Sequence, residues 1–285
     1  MVKEKLIKKQ PFKGKVAFLI GASTGMGRAI AKDFVNLGGS VLIIARRKNI
    51  LEEAASEIQQ KIVNESQFVV SKSCDATDME ILKPILEDSI KNHGVPDYLF
   101  NLVGRAIPGY IEDYTIDDFQ NNMDTNYYGQ LVPTLILLPE FMKEKKGHII
   151  FFSSMLGYMG MMGYGAYVPT KFAIVGLAES LRNELKPLNI RISIVYPPDT
   201  NTPGLSTENE GKPPECAMMS ETGGLLEPEE ISEYVIKKLL KKQFHISPGN
   251  AKSIRYIHRI FPKLVRWFMD SSYKKARKKL VKNKL

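Results

Sequence analysis

Lys15-Val-Ala-Phe-Leu-Ile-Gly-Ala-Ser-Thr-Gly-Met-Gly27 is the stretch that decides the fold. Its apolar run, Lys15–Ile20, reads as a buried strand. Three glycines follow, Gly21, Gly25 and Gly27, spaced G-x-x-x-G-x-G, and helical periodicity then runs over Gly25–Leu37. Glycine is needed where the chain turns tightly and where backbone must approach a pyrophosphate. The helix start offers free N–H groups and a partial positive charge to phosphate. A glycine-rich turn alone is a weak signal. Here it sits at the junction of the first strand and first helix, as nucleotide binding requires.

Working outward, apolar runs alternate with helical patterns. Ser40–Ala45, Gln67–Ser71, Asp97–Asn101, His148–Phe152 and Arg191–Val195 read as strands. Helices are expected at Ile50–Ile62, near Asp78–Asn92, over Phe119–Lys146, near Tyr164–Leu188 and from Pro228 to Lys242. Continuous apolar strands separated by helices predict an α/β fold: a Rossmann-type doubly wound parallel sheet with helices on both faces. Residues 197–227 interrupt this rhythm with five prolines and several glycines. So long a connection reads as a functional flap or a disordered segment.

The expected organisation is a basic arm over 1–14, one nucleotide-binding domain over 15–250 and a tail over 251–285. Charge separates these parts. Residues 1–15 hold six Lys and one Glu, and residues 251–285 hold twelve Lys or Arg and one Asp. The total is +9, so the intervening body is acidic at −7. In the tail, Ile254, Ile257, Phe261, Leu264, Val265 and Phe268 recur at three- and four-residue steps among basic residues. That is an amphipathic basic helix, with a bend expected at Pro262. Trp267, Tyr273 and the cationic run Lys274–Lys284 suit an anionic membrane surface. The alternative is that the apolar stripe packs on the body or on a second subunit. Charge is the only feature that suggests nucleic acid, and no recognition module accompanies it, so no specific nucleic-acid partner is expected.

No stretch approaches the ~20 apolar residues of a membrane span. No secretory signal is visible, and two cysteines, Cys74 and Cys216, cannot build a disulfide framework. These features fit a reducing cytoplasm, with a peripheral membrane location left open at a bacterial inner membrane or the cytosolic face of the endoplasmic reticulum. No metal site is expected.

The second strand ends in Ala45-Arg46-Arg47-Lys48 and lacks the acid that would hold a ribose 2′-hydroxyl. A guanidinium suits a 2′-phosphate, which favours NADP(H) over NAD. The alternative is a solvated basic helix start. Tyr167-Val-Pro-Thr-Lys171 has the form Y-x-x-x-K, which puts both side chains on one helix face. The ammonium is expected to lower the tyrosine pKa and make it an acid or base near neutrality. Ser153 and Ser154 end the preceding strand and can supply a hydroxyl across the cleft.

With these residues in view, the chain resembles the short-chain dehydrogenases/reductases. The matching features are Gly21-x-x-x-Gly25-x-Gly27, Asn101-Leu-Val-Gly104, Asn126, Ser154 and Tyr167-x-x-x-Lys171. The resemblance covers about residues 12–247. It implies that Tyr167 is the proton donor, that Ser154 rather than Ser153 orients the carbonyl oxygen, and that Lys171 binds the nicotinamide ribose and tunes Tyr167. Asn126 would support a relay water, Asp75 would contact adenine, and Thr202 would steady the nicotinamide amide. Gly21, Ser23, Thr24, Gly25, Met26, Gly27, Arg46, Arg47, Asn101, Gly104 and Pro197 complete the implied cofactor set. A dimer or tetramer through the helices near 130–146 and 164–188 is also implied.

The departures are Ile20 before the first glycine, Leu102-Val103 before Gly104, and Pro197-Pro198 where Pro-Gly is usual. The last is informative. Tyr196-Pro-Pro-Asp-Thr-Asn-Thr-Pro-Gly204, with Glu208-Asn209, Lys212-Pro213 and Ser220-Glu221-Thr222, resembles the 3-ketodihydrosphingosine reductases. That implies NADPH-dependent reduction of a long-chain keto lipid. Met155, Met159, Met161, Met162, Met218 and Met219 flank the expected cleft and suit either an alkyl chain or an ordinary core. A reductase for another lipid-like ketone or hydroxyl substrate, and a non-catalytic nucleotide-binding membrane scaffold, are the competing readings.

Overall fold

The computed structural model describes residues 2–220 and 224–282; Glu221, Thr222 and Lys284, singled out above, lie outside the described residues. Seven strands form one parallel sheet in the order β3-β2-β1-β4-β5-β6-β7. They are β1 Val16–Ile20, β2 Ser40–Ala45, β3 Val69–Ser73, β4 Tyr98–Asn101, β5 Gly147–Phe152, β6 Ile190–Val195 and β7 His245–Ile246. The helices are α1 Val2–Lys9, α2 Gly25–Asn36, α3 Lys48–Gln59, α4 Met79–His93, α5 Ile116–Met123, α6 Gly129–Glu144 and α7 Val168–Leu185. They continue as α8 Pro203–Glu210, α9 Pro214–Ser220, α10 Pro228–Leu240, α11 Ala251–Ile260 and α12 Pro262–Lys282.

The central strands bury both faces, which is why they read as unbroken apolar runs. In β1, Ala17 and Leu19 point to the layer of α2, α3 and α10, while Phe18 and Ile20 point to the layer of α4, α6 and α7. Phe12, ahead of β1, joins the first layer and stacks on Phe34 with ring centroids 4.2 Å apart. The chain reverses direction across the sheet between β1 and β4, and ligands of such sheets sit at the strand carboxyl ends there.

Three local features differ from the sequence reading. The expected helix over Phe119–Lys146 is interrupted by a π-turn, Asp124–Tyr128, between α5 and α6. The third strand begins two residues late, because the Gln67 amide donates to the carbonyls of Val35 and Gly39 instead of entering the ladder. The segment 197–227 carries α8 and α9, with Pro203 and Pro214 at helix starts, where proline's missing N–H costs nothing. The tail bends at Pro262 as expected and folds back on the body, with α12 against α9.

Candidate active site

The glycine turn is closed to side chains. A Cβ on Gly27 would lie 2.5 Å from the Gly21 carbonyl oxygen, and one on Gly25 would lie 2.7 Å from Thr202 Cγ2. Gly21 and Gly25 have φ of +95° and +53°, which glycine alone adopts without strain. The turn therefore brings bare backbone to the N-terminus of α2, a cradle that fits a pyrophosphate. Thr202 ends up across from it, capping α8 by accepting the Leu205 N–H at 3.2 Å. Arg46 and Arg47 stand exposed beyond β2, and Arg46 faces Asp75 at 3.5 Å. Burial alone would raise the Asp75 pKa; donation from the Thr77 amide and hydroxyl, with the Arg46 charge, lowers it.

At the ends of β4, β5 and β6 the chemistry-bearing residues converge. Tyr167 opens α7 and Lys171 lies one turn on, its Nζ 5.4 Å from the Tyr167 ring centroid. Lys171 is almost wholly buried and donates to the Phe152 carbonyl at 3.1 Å. Burial brings its pKa down to about 7. The Ser154 hydroxyl bonds with Tyr167 and accepts the Leu156 N–H at 3.1 Å. The neighbouring Ser153 hydroxyl is spent on the Lys171 carbonyl at 2.9 Å.

One expectation is reversed. The Tyr167 pKa is not lowered by Lys171. It is raised, first by burial and then by the Glu208 and Asp199 charges, with only the Ser154 hydrogen bond opposing. The physical reason is that Lys171 is itself drawn toward neutrality and spends its N–H on a carbonyl.

Asn126 lies in the π-turn, fully buried. Its Oδ1 accepts the Arg105 N–H at 2.7 Å and its Nδ2 donates to the Arg105 carbonyl at 2.9 Å. Gly104 sits between groups: a Cβ there would approach Asn126 Oδ1 at 2.9 Å and Lys171 Nζ at 3.0 Å. Asn101 is buried beneath this level and donates to Thr134 at 2.9 Å. Pro197 accepts the Met155 N–H through its carbonyl at 3.2 Å.

A cavity of about 620 Å³ opens over Ser154, Tyr167 and Lys171. Met155, Met159, Met161 and Met219 are in its wall, and Met162 lines an adjoining cavity of about 330 Å³; Met218 lines neither. The outer wall of the larger cavity is the tail, through Ile257, Leu264, Trp267 and Phe268 among others.

A family model described as short chain dehydrogenase matches residues 15–213. The chain belongs to the short-chain dehydrogenase family. It is an oxidoreductase acting between alcohol and carbonyl. This short-chain dehydrogenase is 36% identical over 247 residues to a 3-dehydrosphinganine reductase of Danio rerio, covering 86% of this chain and 74% of that one. It is 33% identical over 238 residues to a 3-ketodihydrosphingosine reductase of Bos taurus, covering 83% and 72%. Its fold matches a short chain dehydrogenase from Mycobacterium paratuberculosis bound to NAD, with a TM-score of 0.73 at 23% identity over 85% of this chain and 99% of that one.

Sequence reasoning on this short-chain dehydrogenase missed a polar network in the cavity wall. Tyr164 donates to Glu208, and Lys212 pairs with the same carboxylate at 3.4 Å while lying 5.9 Å from the Tyr164 ring centre. The i,i+4 spacing of Glu208 and Lys212 was the available signal. Their burial, 16% and 3% side-chain exposure, was not readable from the surrounding polar sequence.

Proposed function

We propose that the chain reduces a long-chain 3-keto sphingoid base, 3-ketodihydrosphingosine, to the secondary alcohol with NADPH. The observation that carries this is the Ser154–Tyr167–Lys171 cluster at the floor of an apolar cavity of about 620 Å³. Its similarity to 3-dehydrosphinganine reductase supports the substrate class. When bound in the glycine cradle, the reduced dinucleotide supplies a hydride to the ketone carbon. Ser154 orients the ketone oxygen, and Tyr167 donates its proton to that oxygen as charge develops on it. The raised pKa keeps Tyr167 protonated until then, as a donor requires. Lys171, poised near neutrality, returns a proton to Tyr167, and Asn126 holds the Arg105 backbone beside the path. Arg46, with Arg47 next to it, takes the 2′-phosphate. Asp75 sits on the adenine side, and Thr202 and Pro197 on the nicotinamide side. Asn101 supports the floor through Thr134.

The tail brings the enzyme to its insoluble substrate. Ile257, Leu264, Trp267 and Phe268 line the cavity and are also 42–64% exposed, so the cavity opens through an apolar rim set among cations. Such a surface fits the headgroup boundary of an anionic membrane, where both burial of apolar area and charge attraction contribute. Among the described residues no helix is long and apolar enough to cross a membrane. Two copies associate through α6 and α7, whose exposed apolar residues include Leu135, Met142 and Phe172.

The test is NADPH oxidation by purified protein with the sphingoid ketone in detergent micelles, beside a short soluble ketone. Saturable turnover on the sphingoid ketone alone is expected. Turnover on the short ketone alone contradicts the lipid assignment and keeps the reductase.

A further inference from the structure

Two carboxylates stand in the cavity wall, Asp199 and Glu208. Their situations differ. Glu208 is engaged by Tyr164 and by Lys212, and the Lys212 ammonium is committed there. Among the described residues, no side chain or N–H hydrogen-bonds or ion-pairs with the Asp199 carboxylate. Its backbone is fixed on both sides of the segment: Leu226 N–H donates to the Asp199 carbonyl at 3.1 Å, and Asn201 N–H donates to the Leu226 carbonyl at 2.9 Å. Pro198 before it and Thr200 after it are buried. Asp199 itself is half-buried at the cavity wall.

A half-buried carboxylate at the wall of a largely apolar cavity is stabilised when a cationic ligand supplies its partner. Burial raises the Asp199 pKa, and the Lys212 charge opposes this only in part. Asp199 also acts on Tyr167 through its charge, which puts it within electrostatic reach of the reacting oxygen. On a sphingoid 3-ketone the amine is carried by the carbon next to the carbonyl. A ketone oxygen held by Ser154 and Tyr167 therefore brings an ammonium into the same few ångströms.

We propose that Asp199 is the subsite for that ammonium, so that the cavity selects amino-ketone lipids over neutral ketones of equal length. The proposal rests on the sphingoid reading above. The ion pair fixes which carbon faces the hydride donor, and it keeps a positive charge beside the oxygen on which negative charge develops. Glu208, already engaged by Tyr164 and Lys212, makes the wall around Tyr164 and leaves the ammonium to Asp199.

The experiment compares kcat/KM for 3-ketodihydrosphingosine and for the same chain with the amine replaced by hydrogen, in mixed micelles. Wild type is expected to prefer the amino ketone. Asp199→Asn is expected to reduce that preference at least tenfold, and Asp199→Glu to retain more of it than Asp199→Asn. Inhibition gives a readout on wild type alone: a saturated long-chain amine should inhibit at least tenfold more strongly than the alcohol of equal length. Equal loss on both ketones in Asp199→Asn, or equal inhibition by amine and alcohol, overturns the subsite while the reductase assignment stands. Wild-type turnover of the neutral ketone with none of the amino ketone overturns the sphingoid reading, and the subsite with it.

Discussion

Lys171 Nζ stands 5.4 Å from the centre of the Tyr167 ring and gives its hydrogen bond to the Phe152 carbonyl, not to the phenol oxygen. The pair is therefore not a preformed phenolate–ammonium couple. Tyr167 is held protonated by burial and by the nearby carboxylates, while burial brings Lys171 down to about 7. An acid waiting for a developing oxyanion, backed by a group that exchanges protons near neutrality, suits reduction.

Removing the phenol hydroxyl tests that arrangement. Tyr167→Phe should lower kcat by roughly 10²–10⁴-fold, the span of a lost general acid. Binding of NADPH, followed by fluorescence, should persist. Activity that survives unchanged would assign the proton to another group.

The proposed preference for NADPH rests on Arg46, exposed at the end of β2 and 3.5 Å from Asp75. A hydrogen bond to a charged group contributes about 1.5–3 kcal/mol, so Arg46→Asp should raise the KM for NADPH by roughly 10–100-fold. The KM for NADH should change much less. Equal changes would remove the 2′-phosphate argument.

Acid stability should report on His148. It is buried on β5, its Nε2 2.8 Å from Ser193 Oγ, and burial brings its pKa down to about 3. In the unfolded chain it titrates near its ordinary 6.5, so the unfolded state binds the extra proton below that pH. The stability from a neutral His148 is then present above pH 6.5 and is lost as pH falls toward 3, at about 1.4 kcal/mol per pH unit. Urea unfolding at pH 7 and pH 5 should show wild type losing about 2 kcal/mol more than His148→Gln. Parallel losses would mean that His148 is already protonated in the fold.

The strands and the nucleotide turn were legible because their physics is local. A strand buried on both faces must be apolar throughout, and a turn with positive φ and 2.5 Å clearances must be glycine. The two-residue β7 carries too little pattern to show, and α8 and α9 were hidden by prolines that in fact start them. The site was legible in its residue types and not in its electrostatics. Tyr167 and Lys171 share a face as the spacing required, yet the burial that reverses the expected tyrosine shift comes from distant segments. The tail's amphipathic stripe was plain, while its seat against α9 depends on contacts between segments about fifty residues apart.

The apolar rim of the tail gives a membrane prediction. The protein should float with anionic vesicles at about 0.1 M salt and much less at about 1 M, where the Debye length falls to roughly 3 Å. Trp267→Ser with Phe268→Ser should reduce flotation at low salt, since both side chains are more than half exposed. Flotation equal to that with neutral vesicles, and indifferent to the double substitution, would leave the tail as a cavity wall alone.

The most direct measurement of the central claim is the fate of the hydride. NADPH carrying deuterium at both hydrogen positions of nicotinamide C4 should be incubated with 3-ketodihydrosphingosine and the enzyme, and the lipid product read by mass spectrometry. The account predicts one deuterium on C3 of a saturated sphingoid base for each NADPH consumed. An unlabelled product, or NADPH consumed with the sphingoid ketone recovered intact, would contradict it.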